Sequence, residues 1–149
     1  MQGLPHEELL GRQLGRTGKV SQKWFDARLA EVGGDLTTWI VLNNIADEPS
    51  QKELAAHMWI EPATLVAHLD RLERDGVVER RRDPDDRRVI RVVITPAGTE
   101  LHGRLQDVAV ACDAEMRALL PAADQPVLER SLARLFEHFT STPNPKAGH

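Results

Sequence analysis

Apolar residues recur along this chain at steps of three and four over most of its length, and in one place as short β-branched runs. From about Pro5 to Val32 the stripe Leu10, Leu14, Thr17, Val20, Trp24 and Ala27 predicts a long helix, with Phe25, Leu29 and Val32 as a second stripe beside it. Gly33 and Gly34 end it. Two stripes on one helix predict two packing partners, and in a chain this short one of them is expected on another subunit. Asp35 is placed to cap a second helix whose Leu36, Trp39, Ile40, Val41, Leu42 and Ile45 are apolar on nearly every side, as a core helix must be.

Ser50 followed three residues later by Glu53 is a capping box and predicts a short helix from Gln51 to about Met58. After a tight connection at Trp59 and Ile60, Pro62 suits the first turn of a further helix that runs to Asp75 and is stopped by Gly76. Leu65, Leu69 and Leu72 then face inward, and Thr64, His68 and Arg71 are expected together on the outward face with Ala67 beside them. Val77 to Arg80 and Val89 to Ile94, separated by a charged, turn-rich connection, predict a β-hairpin. Thr95 and Pro96 open a helix with the stripe Leu101, Leu105, Val108, Cys112, Met116 and Leu119, which Pro121 breaks. A last helix from near Asp124 carries Leu128, Leu132, Leu135 and Phe139, and the tail 141–149 is expected to be disordered.

This order predicts a mainly α chain with a small β-hairpin (α+β) in which a short capped helix, a tight turn, a second helix and a basic hairpin make a winged helix-turn-helix. That fold lays its second short helix in the DNA major groove, where each base pair shows its own donor and acceptor pattern. Thr64, His68 and Arg71 are the candidate readers, Ser50 and Gln51 at the start of the preceding helix are further candidate DNA contacts, and the hairpin candidates are Arg82, Arg87 and Arg88. Hairpin guanidinium groups are suited to phosphates or to the negative potential of the minor groove.

Charge sharpens this picture. The net charge of -4 would by itself argue against a polyanionic partner, but six arginines and three aspartates between Arg80 and Arg91 concentrate +3 there and leave -7 for the rest. The 149 residues fit a single domain, 1–149. The one cysteine, Cys112, fits a reducing compartment, and it lies on an apolar stripe as a buried small side chain would. No apolar run approaches the roughly 18 residues of a membrane span, and His6, Glu7, Glu8 and Arg12 stand where a signal peptide would be apolar, so a cytoplasmic protein without a membrane partner is expected. No phosphate loop, nucleophile elbow or metal-ligand spacing is present, which points away from an enzyme, a cofactor and a metal.

The stretch Asp86-Arg87-Arg88-Val89-Ile90-Arg91-Val92-Val93-Ile94-Thr95-Pro96-Ala97-Gly98 resembles the wing signature of the MarR family of bacterial regulators, and 38–45 and 60–66 are similar to its SlyA-like branch. The resemblance runs from about Leu9 to Phe139. It implies a homodimer built from 1–34 and 95–140, a winged DNA-binding region at 35–94, and a palindromic double-stranded operator. It also implies a minor-groove role for Arg87, positioned by a salt bridge from Asp86, and a small-molecule effector such as an aromatic carboxylate, for which Arg16, Trp24 and Trp39 are candidate contacts. The chain departs from the branch at Ala67, often an arginine there, and at Trp59, where glycine is usual. The first departure keeps an alternative open: a dimeric protein-interaction module, or a degenerate regulator without specific DNA binding.

Overall fold

In a computed structural model, which describes residues 9–142, the chain forms α1 (Leu10–Ala30), α2 (Leu36–Asn43), α3 (Gln51–His57), α4 (Pro62–Arg74), β1 (Val78–Arg82), β2 (Ile90–Ile94), α5 (Pro96–Ala118) and α6 (Gln125–Ser141). The expected start of the first helix at Pro5, and the tail from residue 143 onward, lie outside the described residues. Ser141 and Thr142, expected at the head of that tail, instead close α6. Among the described residues no helix is long and apolar enough to cross a membrane.

Local chemistry sets the element ends. The Asp35 side chain accepts the Thr38 N–H and starts α2, and both halves of the Ser50–Glu53 capping box form at α3. Gly76, at φ 74°, lets the chain leave α4 through the left-handed region that glycine enters without strain. Thr95 caps α5 and makes a second contact: its hydroxyl accepts the Gly98 N–H at 3.0 Å and donates to the Gly76 carbonyl at 2.6 Å, so one side chain pins the start of α5 to the end of α4.

The described structure falls into two compact units with the boundary inside α5, one ending at Val110 and the other beginning at Ala111. In the first unit Leu29, Val41, Ile45, Leu54, Leu65, Leu69, Leu72, Val92 and Leu105 are buried in one cluster contributed by α1 to α5 and the hairpin. Each such side chain is worth about 1.5–3 kcal/mol of hydrophobic stabilisation. The hairpin is antiparallel with Val78 opposite Ile94 and Arg82 opposite Ile90. Its free edge is not bare: the Val92 N–H donates to the Pro49 carbonyl at 3.0 Å, and Ser50 bridges Arg91. β2 is therefore paired on both sides at the point where α3 begins. In the second unit, Arg117 at the end of α5 pairs with Asp113 at 2.7 Å and with Glu129 of α6 at 2.6 Å, and α6 itself buries no residue.

Candidate nucleic-acid interface

The helix-turn-helix is α3 and α4. Its turn contains Trp59 at φ 55°, a left-handed conformation that explains why glycine suits the position and that a tryptophan adopts only at a cost of about 1 kcal/mol or more. The Trp59 side chain is 66% exposed. Ser50 is half-buried and committed to its cap. Gln51 is half-buried beside it, and its Oε1 is buried with no hydrogen-bond partner among the described residues. Pro62 occupies the first turn of α4 as the sequence predicts.

The outward face of α4 differs from the expected one. At about 3.6 residues per turn, the side opposite Leu65, Leu69 and Leu72 carries Ala63, Ala67, Asp70 and Arg74. Thr64 is exposed on one flank, but His68 is half-buried. Arg71 does not stand with them. Its Nη1 lies 2.9 Å from the Asp35 carboxylate and its Nη2 donates to Thr38 Oγ1 at 3.5 Å, so the α2 cap draws this guanidinium back across the surface of the first unit. Burial opposes ionisation of Asp35, but hydrogen bonds from Thr38 and the nearby Arg71 outweigh it and hold the carboxyl below its ordinary value. Beside the pair opens a polar cavity of about 390 Å³, lined among others by Gly34, Asp35, Thr38, Arg71, Glu100 and Arg104.

The arginine cluster is largely neutralised from within. Arg80 reaches Glu73 and Asp70, both at 2.6 Å, and so clamps β1 to α4; Arg81 pairs with Glu79. Arg91 donates through Nε to Asp83 at 2.8 Å and through Nη1 to Glu53 at 3.3 Å. Glu53 thus caps α3 and holds β2 at once, and its backbone bond to Ser50 together with Arg91 keeps it ionised below the usual range. Asp83, lowered first by the Arg91 bond, also accepts the N–H groups of Asp85 and Asp86 and shapes the hairpin loop.

At the loop, Asp86 is not the partner of Arg87. It pairs with Arg88, at 3.1 Å to Nε, and also accepts the Arg88 N–H, because a carboxylate can meet the backbone and side chain of the residue two positions on in one compact turn. The Arg87 carbonyl accepts from Arg82 Nη1 at 2.8 Å, which sets the backbone beneath Arg87. Of the six arginines, Arg82 and Arg87 have no carboxylate partner among the described residues. Sequence reasoning found the Glu53 cap but missed its contact with Arg91 and the clamps made by Arg80 and Arg91, which reach across elements, although opposite charges at 53, 83 and 91 were visible.

The three candidate ligand contacts have different surroundings. Arg16 is exposed on α1. The Arg28 guanidinium lies over Trp24, its Cζ 4.7 Å from the ring centroid. Trp39 packs edge-on against Phe25 with centroids 5.3 Å apart, and its Nε1 donates to Gln106 Oε1 at 3.2 Å. None of the three lines the cavity beside Arg71. Among the described residues no group of three His, Cys, Asp or Glu is placed to hold a metal ion.

Residues 37–90 match the MarR family. Over the whole fold the chain is similar to the transcriptional repressor CouR, solved on a 23-mer DNA duplex, at 28% identity and TM-score 0.81, covering 90% of this chain and 99% of CouR. It is also similar to the regulator MosR of M. tuberculosis, solved with DNA, at 25% identity and TM-score 0.77, with 90% and 98% covered. A mutant MarR from E. coli, solved with operator DNA, shares the fold at 22% identity and TM-score 0.80, covering 89% and 99%. The match to the MarR family thus spans α2 to the start of β2, in a chain with the fold of MarR regulators.

Proposed function

We propose that this chain is a sequence-specific double-stranded DNA-binding transcriptional regulator, a homodimeric repressor of a palindromic operator. The observation that carries this reading is the bracing of the hairpin by Arg91. That side chain joins β2, the hairpin loop and the capped start of α3, so the helix-turn-helix and the wing are presented as one reader with Arg82 and Arg87 left un-neutralised at its loop. A preset reader loses little conformational freedom on binding. The DNA-bound state of CouR and MosR supports the same reading.

The dimer would use α1 and the second unit, where Val127, Leu128, Leu132 and Phe139 are exposed along α6, a density of apolar surface that a monomer would not leave in water. A place in the SlyA-like branch is supported by the 60–66 pattern, and a cytoplasmic location accords with a DNA partner. Control by a small aromatic carboxylate rests on the family resemblance alone, since none of its candidate contacts Arg16, Trp24 and Trp39 lines the cavity beside Arg71. Titration calorimetry with millimolar salicylate tests that part, and absence of heat ends it.

Selection from a random duplex library tests the main reading. It predicts a palindromic consensus. Recovery of no consensus would overturn it in favour of a dimeric protein-interaction module.

A further inference from the structure

Towards its N-terminal end, the outer side of α4 presents almost nothing able to hydrogen-bond a base. Pro62 has no N–H. Ala63, Thr64, Val66 and Ala67 are exposed and contribute methyl groups and a single hydroxyl. The groups that could form bidentate bonds are committed elsewhere or set back: Arg71 is held by Asp35, Asp70 is held by Arg80, Arg74 sits at the last turn with its Nε on the Asp70 carbonyl, and His68 is half-buried. A recognition helix enters the groove by its N-terminal residues, so this methyl surface is what meets the base edges.

In the major groove, thymine alone offers an apolar group, its C5 methyl, whereas guanine and adenine offer acceptors that lose water without replacement when faced by alanine. We propose that α4 selects base pairs by packing Ala63, Thr64 and Ala67 against thymine methyl groups rather than by bidentate bonds to purines. The inference rests on the DNA-binding reading above and deepens it by naming what is read.

The test uses the full chain and the duplex recovered by selection. Each thymine is replaced in turn by deoxyuridine, which deletes the C5 methyl and leaves both the pairing and the minor groove unaltered. Binding is expected to weaken about fourfold for each thymine contacted, at equivalent steps of both half-sites. Purines at the neighbouring steps, replaced by 7-deaza analogues that lack the N7 acceptor, are expected to cost less than the deoxyuridine steps, because the Thr64 hydroxyl is the single side-chain donor that the exposed start of α4 offers to that acceptor. Deoxyuridine without effect at every position would overturn methyl readout, as would a larger loss from the 7-deaza purines or a selected half-site without thymine. Binding to no duplex at all would remove the DNA-binding reading itself, and that result is distinct from deoxyuridine neutrality on a duplex that binds.

Discussion

At Gly98 the smallest side chain would collide with the fold. A Cβ there would overlap the Val77 carbonyl oxygen and lie 2.9 Å from Ile94 Cγ1, because the two bonds of Thr95 hold the first turn of α5 against the chain leaving α4. Gly98→Ala is expected to cost about 2 kcal/mol through overpacking, read as a lower chemical-denaturation midpoint; an unchanged midpoint would show that α5 does not seat as described. The second residue-scale expectation concerns Arg71. Held by Asp35 in a pair about one-third exposed, it contributes roughly 1 kcal/mol or less. Arg71→Ala is expected to lower stability by that amount and to leave the preferred DNA sequence as it was, which repeating the duplex selection with the variant checks. A changed consensus would mean that Arg71 reads a base after all.

Among the elements, α3 and the hairpin depend on carboxylates that ionise more readily in the folded chain than in the unfolded one. Glu53, Glu73, Asp83 and Asp86 are all lowered, chiefly by hydrogen bonds from Ser50, Arg80, Arg91 and Arg88 respectively. A group with a depressed folded value contributes stability above its ordinary value, here 3.8 for Asp and 4.5 for Glu, and loses it as the pH falls through the folded value. Thermal stability from these groups is therefore expected to stay level from neutral pH down to about 5 and to fall below about 4. A scan that shows stability rising on acidification would contradict the bracing described for Glu53 and Asp83.

The same elements show what was legible beforehand. The Ser50–Glu53 box, the Asp35 cap and the Gly76 stop all depend on neighbours within a few residues, so spacing alone located them. The hairpin was legible too, though β1 extends to Arg82 rather than ending at Arg80, because Asp83 and Val89 close the loop later through a 2.9 Å bond. The face of α4 was misjudged: counting from Thr64 follows one flank of the helix, while counting from the buried Leu65, Leu69 and Leu72 leads to Ala63 and Ala67. Arg71–Asp35 and Asp86–Arg88 were not legible. Each turns on which of several carboxylates a long side chain reaches once the backbone is in place.

At the scale of the whole molecule, the apolar surface of α6 defines what a monomer lacks. Leu132 is 44% exposed on a helix that buries nothing of its own. Leu132→Asp would place a charge in the proposed subunit interface, at a cost of several kcal/mol to association, while changing little in a separated chain. The variant is expected to run as a monomer in analytical ultracentrifugation and to lose high-affinity binding to a palindromic duplex. A variant that stays dimeric would exclude this face of α6 from the interface.

The claim on which all of this turns is specific binding of duplex DNA by the braced reader. It is tested most directly by fluorescence anisotropy of the purified chain and of Arg87→Ala against the duplex upstream of its own gene and a scrambled duplex of equal length, each at two salt concentrations. The account predicts that the native duplex is preferred by about a hundredfold or more, a threshold set below the usual span of roughly 10³–10⁷ for specific over non-specific binding. Binding should weaken steeply with salt, by about 0.9 in the log-log slope for each phosphate neutralised, and Arg87→Ala should weaken binding to both duplexes alike. Equal, weak and salt-insensitive binding to the two duplexes, unchanged by Arg87→Ala, would contradict it.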